Sequence, residues 1–150
     1  MKTKFRPTNQ EELKLFEDEF NISLPEKYKN FIITHNGGRP EKGIFQIQSM
    51  DDIGILNWFF GVNVKSNYDL AKHIRDYKEY LPSGIIPVAE DPGGNFICIS
   101  VEPENRGAVY YWDQEDDVFK GGEPSYKYLH QIAEDFEDFV NNLASPLDSP

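Results

Sequence analysis

Two apolar runs separated by a six-residue turn constrain the fold of this chain more than any other feature. Residues 85–89 and 96–101 are short and rich in β-branched and aromatic side chains, which is typical of strands. Between them, residues 90–95 contain one proline and two glycines, which supply the backbone angles of a tight turn. A third apolar run covers residues 108–112. Consecutive strands with short connections favour an antiparallel sheet.

Helical patterns precede these strands. Thr8 followed three residues later by Glu11 forms a capping box, which predicts that a first helix begins there. A second helix is expected to begin with Pro25 in its first turn, where the missing N–H of proline costs little. Gly37 and Gly38 are expected to end this helix, because glycine tolerates a left-handed C-terminal cap.

The middle of the chain adds two strands and a third helix. Residues 43–48 alternate between apolar and polar side chains, and residues 55–60 form a nearly continuous apolar run, so both are predicted to be strands. Ser66 or Asn67 is predicted to cap a helix that carries its apolar face as far as Leu81.

A last helix is predicted to open near Ser125 and to bury Leu129, Ile132 and the apolar residues that follow, as far as Leu143. The fold class is therefore α+β: a mainly antiparallel sheet of about five to six strands with about four helices packed on it. The 150 residues are expected to form a single domain, with a core at about 8–144 and a flexible tail at 145–150.

The formal net charge of −11 restricts the partners of the chain. Nucleic-acid binding depends on cation–phosphate contacts, and anionic membranes attract basic surfaces, so neither is expected as a direct ligand. The residues after Val101 carry −9 of this charge. A cytoplasmic location is expected, because the N-terminus shows no signal peptide, no window is apolar enough to span a membrane, and Cys98 is the single cysteine.

The sequence contains no pattern that is typical of a catalytic or metal-binding site. The histidines are far apart, and Cys98 lies in an apolar run where a thiol acts as a small buried hydrophobe. Residues 113–117 imitate the start of a calcium loop, but Val118 and Pro124 stand where such a loop needs glycine and glutamate. The sequence therefore predicts no cofactor, no metal site and no enzymatic activity.

Two surface features have more than one interpretation. The acidic segment with Asp113, Glu115, Asp116 and Asp117 is either a solvated turn or a negative patch that steers a basic partner. The aromatic run beginning at Trp58 is either a core strand, which is favoured, or an exposed binding anchor.

Three segments, in order, resemble the signatures of the SUKH superfamily, best known for bacterial immunity proteins and named partly after a fungal regulator of cell-wall assembly. The first joins a Leu-Pro-x-x-Tyr helix start at Leu24 to an Asn-Gly-Gly segment at Asn36. The second covers residues 86–99, and the third covers residues 107–113. Many relatives have a histidine where this chain has Gln114, so no role of that histidine carries over. Residues 51–80 match none of these signatures.

The resemblance implies an α+β fold and a non-enzymatic role, namely binding and neutralising a cognate toxin domain such as a nuclease. An acidic surface can occupy a basic cleft in place of nucleic acid. The predicted partner-binding residues are Asp113, Glu115, Asp116 and Asp117, followed by Glu90 and Asp91 on the turn. An intracellular scaffold or regulator binding a housekeeping partner is the alternative. A hydrolase is a third hypothesis, which needs an assembled carboxylate site.

Overall fold

The computed structural model describes residues 5–114 and 123–145. In these residues two helices come first, strands follow with a third helix among them, and a fourth helix comes last, which matches the predicted fold class. The helices are α1 Gln10–Phe20, α2 Glu26–Thr34, α3 Leu70–Tyr77 and α4 Phe136–Asn141. The strands are β1 Ile44–Ile47, β2 Asp52–Ile55, β3 Trp58–Phe59, β4 Ile85–Glu90, β5 Phe96–Ser100, β6 Val109–Trp112 and β7 Leu129–Ala133.

The strands form two antiparallel sheets. The larger has five strands in the order β3-β4-β5-β6-β7, and the smaller pairs β1 with β2. Neighbours in the larger sheet are also neighbours along the chain, and the connection between β3 and β4 contains α3. This arrangement confirms the predicted α+β fold with a mainly antiparallel sheet.

Both faces of the five-stranded sheet are covered. Phe59 points to one face, where its ring contacts Phe31 of α2 and Phe136 of α4. The next residue, Phe60, points to the other face and stacks on His73 of α3, with ring centroids 3.8 Å apart. Every residue of β5 and β6 is buried. This double burial explains why these strands read as continuous apolar runs rather than as alternating ones.

The aromatic run and the cysteine have structural roles. Phe59 and Phe60 are 1% and 0% exposed, which confirms the core interpretation for these two residues. Trp58 is half-buried between the rings of Phe5 and Tyr68. Cys98 is fully buried, and burial raises the pKa of its thiol far above the ordinary value, so it packs as a hydrophobe as predicted.

The prediction of one long last helix is wrong. Leu129–Ala133 is a strand, which hydrogen-bonds to the outer edge of β6, and α4 begins only after Asp135. Ser125 does accept a hydrogen bond from a backbone N–H, but it caps a single turn at Tyr126–Tyr128. Buried strand β6 needs a partner for its backbone groups on that side, and this tertiary requirement overrides the local helical pattern.

Several predicted boundaries also differ. Asn9, not Thr8, caps α1 by accepting a hydrogen bond from the Glu12 N–H at 2.9 Å. Asp69, rather than Ser66 or Asn67, caps α3. The apolar run at 55–60 does not form one strand. Ile55 ends β2, and Trp58 and Phe59 form β3, because the chain passes there from the smaller sheet to the larger one.

The predicted glycine cap of α2 is replaced by a side-chain clamp at Asn36. The helix ends at Thr34 with an extended His35, and the buried Asn36 amide then binds both backbone groups of Val62. It also donates to the backbone oxygen of Arg6 at 2.9 Å. One side chain therefore joins three separate segments of the chain.

Candidate functional site

Three of the predicted partner-binding residues meet at one end of the five-stranded sheet. β4 ends at Glu90, which lies opposite Phe96 of β5, and Phe96 lies opposite Trp112 at the end of β6. Asp91 and Asp113 are the next residues of β4 and β6, so they leave the sheet at the same end. We call Glu90, Asp91 and Asp113 the acidic end. Asp91 and Asp113 stand about two strand spacings apart, roughly 10 Å.

The other three predicted residues, Glu115, Asp116 and Asp117, lie outside the described residues. Their chain leaves from Asp113 and Gln114, so they follow the acidic end directly in sequence.

Asp91 is held by hydrogen bonds within its own turn. One carboxylate oxygen accepts the N–H groups of Gly93 and Asn95, both at 2.9 Å. The other oxygen accepts the hydroxyl of Tyr111 at 2.9 Å. Burial, aided by this hydrogen bond, raises the pKa of the Tyr111 phenol above its ordinary value. The Asp91 carboxylate therefore has a fixed position, and it also shapes the turn.

A polar network joins this turn to the end of β6. The Asn95 side chain donates to the Tyr111 hydroxyl at 2.8 Å and accepts the Gln114 N–H at 3.1 Å. The buried Gln114 amide donates to the backbone oxygen of Gly94. Gln114 therefore fixes the point from which the acidic segment departs.

Sequence reasoning missed the roles of Asn95, Tyr111 and Gln114. The turn pattern predicted a conformation for Asn95 but no contact, because its partners lie 16 and 19 residues further along the chain. For Gln114 the sequence indicates only a departure from the family pattern. A polar residue directly after a buried strand was the one available signal.

Glu90 differs from its neighbour because it lies partly inside the sheet. Burial raises the pKa of its carboxyl, and the adjacent Asp91 raises it further. On β3, half-buried Trp58 lies opposite Glu90. Arg39 lies 6.0 Å from the centre of the Trp58 ring, so a cation and an aromatic ring border the acidic end on this side.

The negative charge of the last third does not form one patch. Glu102 and Glu104 follow β5 at the opposite end of the sheet. Asp135 and Glu137 lie 3.0 and 3.6 Å from the ammonium of Lys27. None of these residues lies at the acidic end, whereas Asp113 leaves the sheet there.

A groove of about 850 Å³ lies away from the acidic end, between the α1–α2 turn, the end of α3 and the start of β4. Its carboxylates are already engaged within the fold. Glu19 pairs with Arg75 at 2.7 Å, and Glu102 accepts the Ser83 hydroxyl at 3.1 Å. Within residues 5–114 and 123–145, no group of three or more His, Cys, Asp or Glu side chains is placed to hold a metal ion.

His73 is the histidine most deeply integrated in the fold. Its ring stacks on Phe60, and its Nε2 donates to the backbone oxygen of Asn67 at 2.8 Å. The buried Nδ1 has no hydrogen-bond partner among the described residues. Burial lowers the pKa of this imidazole, which the nearby Lys72 lowers further, while the Asn67 contact and the carboxylates of Asp76 and Asp69 oppose the shift.

This lowered pKa predicts a loss of stability on acidification. The unfolded chain takes up a proton near pH 6.5, whereas folded His73 resists it, so its contribution is complete above about pH 6.5 and declines below it. We expect His73→Phe, which can still stack on Phe60, to reduce the slope of unfolding free energy against pH between 7 and 5. Chemical denaturation at several pH values measures that slope, and identical slopes for variant and parent would contradict the assignment.

None of the helices in the described part of the chain is both long and apolar enough to cross a membrane.

Comparison with known proteins gives two matches. The model of the SMI1 / KNR4 family (SUKH-1) matches residues 7–142. The SPbeta prophage-derived uncharacterized protein YokK of Bacillus subtilis (strain 168) is 31% identical in an alignment that covers 89% of this chain and 73% of the relative.

Proposed function

Because this chain belongs to the SMI1 / KNR4 family (SUKH-1), we propose that it is a cytoplasmic immunity protein. It binds a cognate toxin domain, such as a nuclease, and neutralises it without catalysing a reaction. The observation that carries the proposal is the convergence of Glu90, Asp91 and Asp113 at one end of the sheet. The prophage origin of the relative agrees with a role in conflict between genomes.

Electrostatic complementarity explains how such a surface would work. A nuclease keeps a basic cleft for phosphate groups, and the carboxylates at the ends of β4 and β6 would present negative charge to it in the same way. Complementary fields speed association and select the partner's orientation. The other three residues of the acidic segment, Glu115, Asp116 and Asp117, would add three more carboxylates.

The hydrogen-bond network at this end supports tight binding. Asp91 is already held by Gly93, Asn95 and Tyr111, and Gln114 anchors the start of the acidic segment. Groups that are ordered before binding lose less conformational entropy when the complex forms. The Asp91 carboxylate is therefore ordered before a partner binds.

Co-expression with the toxin encoded beside this gene tests the proposal. We expect the parent chain to restore growth of cells that produce the active toxin and to co-purify with it. Gln114→Ala, which removes the side-chain hydrogen bond from Gln114 to Gly94, is expected to protect less well, whereas an exposed substitution such as Asn30→Ala is expected to protect fully. Undiminished killing by neighbouring toxins would contradict the proposal, and capture of a housekeeping protein instead would favour a scaffold or regulator.

A further inference from the structure

Strand β2 forms the open edge of the smaller sheet. This sheet contains only β1 and β2, and β1 pairs on its other side with Ala144. Ile53 and Ile55 are 51% and 53% exposed, while Gly54 between them lies against the ring of Phe45. The outer face of β2 therefore presents two isoleucines to solvent.

The backbone N–H and C=O groups of Ile53 and Ile55 point away from β1. The N–H and C=O groups of Ile44 both form hydrogen bonds with the backbone of Ala144, each at 2.9 Å. Ile44 and Ile55 are therefore a non-hydrogen-bonded pair, and the alternation of an antiparallel ladder directs the N–H and C=O groups of Ile53 and Ile55 outward. Among the described residues, only the Asp52 carboxylate meets this edge, accepting the Ile53 N–H at 2.8 Å.

We propose that the β2 edge is a self-association surface, on which a second copy of this chain adds its own β2 in antiparallel orientation. Rotation about a two-fold axis through Gly54 places Ile53 of one copy opposite Ile55 of the other. These are the residues whose backbone groups point outward, so each pair exchanges two hydrogen bonds once the Ile53 N–H leaves the Asp52 carboxylate of its own chain. The result is a continuous four-stranded sheet, with four isoleucines in contact on one face.

The charges of this segment favour the antiparallel over the parallel arrangement of two copies. Asp51 and Asp52 of one chain come opposite Asn57 and Leu56 of the other, so no carboxylates face each other directly. A parallel arrangement would set Asp52 beside its own copy, and like charges directly opposite destabilise a sheet. The edge is only four residues long, so the dimer is expected to be weak and to form at high protein concentration.

Sedimentation velocity over a concentration series tests the proposal. The parent should shift from monomer to dimer as concentration rises, and more strongly in high salt, because salt screens repulsion between two acidic chains. Ile55→Lys should raise the dissociation constant at least tenfold. Leu15→Lys, at another exposed aliphatic position on α1, should leave it unchanged. A dimer that survives Ile55→Lys, or a parent that is monomeric throughout, would overturn the proposal.

Amide hydrogen exchange gives a second measurement that does not depend on the variants. The Ile55 N–H should exchange more slowly as concentration rises, in step with dimer formation, while the N–H of exposed Leu15 should not respond. Constant exchange at Ile55 would overturn the proposal. So would protection that appears only when a toxin domain is added, since it would assign the edge to that partner instead.

Discussion

Replacing Asn36 by alanine is expected to lower the free energy of unfolding by about 3–5 kcal/mol. The Asn36 side chain makes three hydrogen bonds of 2.7–2.9 Å, two to Val62 and one to Arg6. Alanine leaves these backbone groups without a partner, and the bonds to Val62 are buried. An unpaired buried polar group costs about 1–3 kcal/mol, so the loss exceeds that of an ordinary surface substitution.

Denaturant titration of the variant measures this loss, with Asn30→Ala as the matched control. Asn30 is exposed on α2, and its replacement should change stability by less than about 0.5 kcal/mol. If Asn36→Ala lowered the free energy of unfolding as little as Asn30→Ala, this would show that the side-chain clamp does not hold the three segments together.

The backbone segments around the clamp are packed closely against each other. A Cβ added to Gly61 would lie 2.4 Å from the backbone oxygen of Asn36. At Gly37, where φ is +80°, an added Cβ would lie 2.8 Å from the backbone of Phe59 and Phe60. The Asn-Gly-Gly segment is therefore a close backbone junction between the end of α2 and the sheet, rather than the predicted helix cap.

Removing the charges of the acidic segment is expected to slow toxin binding at least tenfold in low salt. The variant replaces Asp113, Glu115, Asp116 and Asp117 by the matching amides, which keep the size of each side chain. Steering by complementary charge raises association rates by about 10–10³-fold, and this gain disappears with the charges. The dependence of the association rate on salt should also flatten, because screening has less charge to act on.

A second quadruple variant distinguishes local steering from total charge. Glu41, Glu79, Glu104 and Glu134 are exposed, and their replacement by glutamine removes the same number of negative charges. Stopped-flow association should then stay close to the parent rate, since the screening length is about 8 Å at physiological ionic strength. Equal slowing by both variants would contradict a binding role for the acidic segment and leave it as a solvated turn.

The central strands could be predicted from the sequence because their signal is local. β4, β5 and β6 are within one residue of the predicted ranges at each end, since each is buried on both faces and bounded by turn residues. The helix caps were harder, because Thr8 and Asn9 are both good caps and only the observed Glu12 N–H contact separates them.

Strand β7 could not be predicted in this way. Leu129 and Ile132 have helical spacing with Phe136, and nothing local shows that the edge of β6 needs a partner. Such a requirement depends on the whole sheet. The same reason applies to Asn36, whose partners at Arg6 and Val62 lie 30 and 26 residues away.

The sequence predicts which residues belong to the candidate site, but not how they are arranged. Turns and charge runs favour exposed carboxylates, which predicts Glu90, Asp91 and Asp113 as binding residues. The sheet register then brought them to one end. The fixed position of Asp91 depends on Tyr111, which a pattern of strand residues describes only as part of the core.

Calorimetric titration of the purified chain with the toxin domain encoded beside its gene tests the proposed function most directly. The account predicts a one-to-one complex whose affinity falls as salt rises and falls further when Asp113, Glu115, Asp116 and Asp117 are neutralised. The absence of any complex with the toxins of the neighbouring genes, at all salt concentrations, would contradict it.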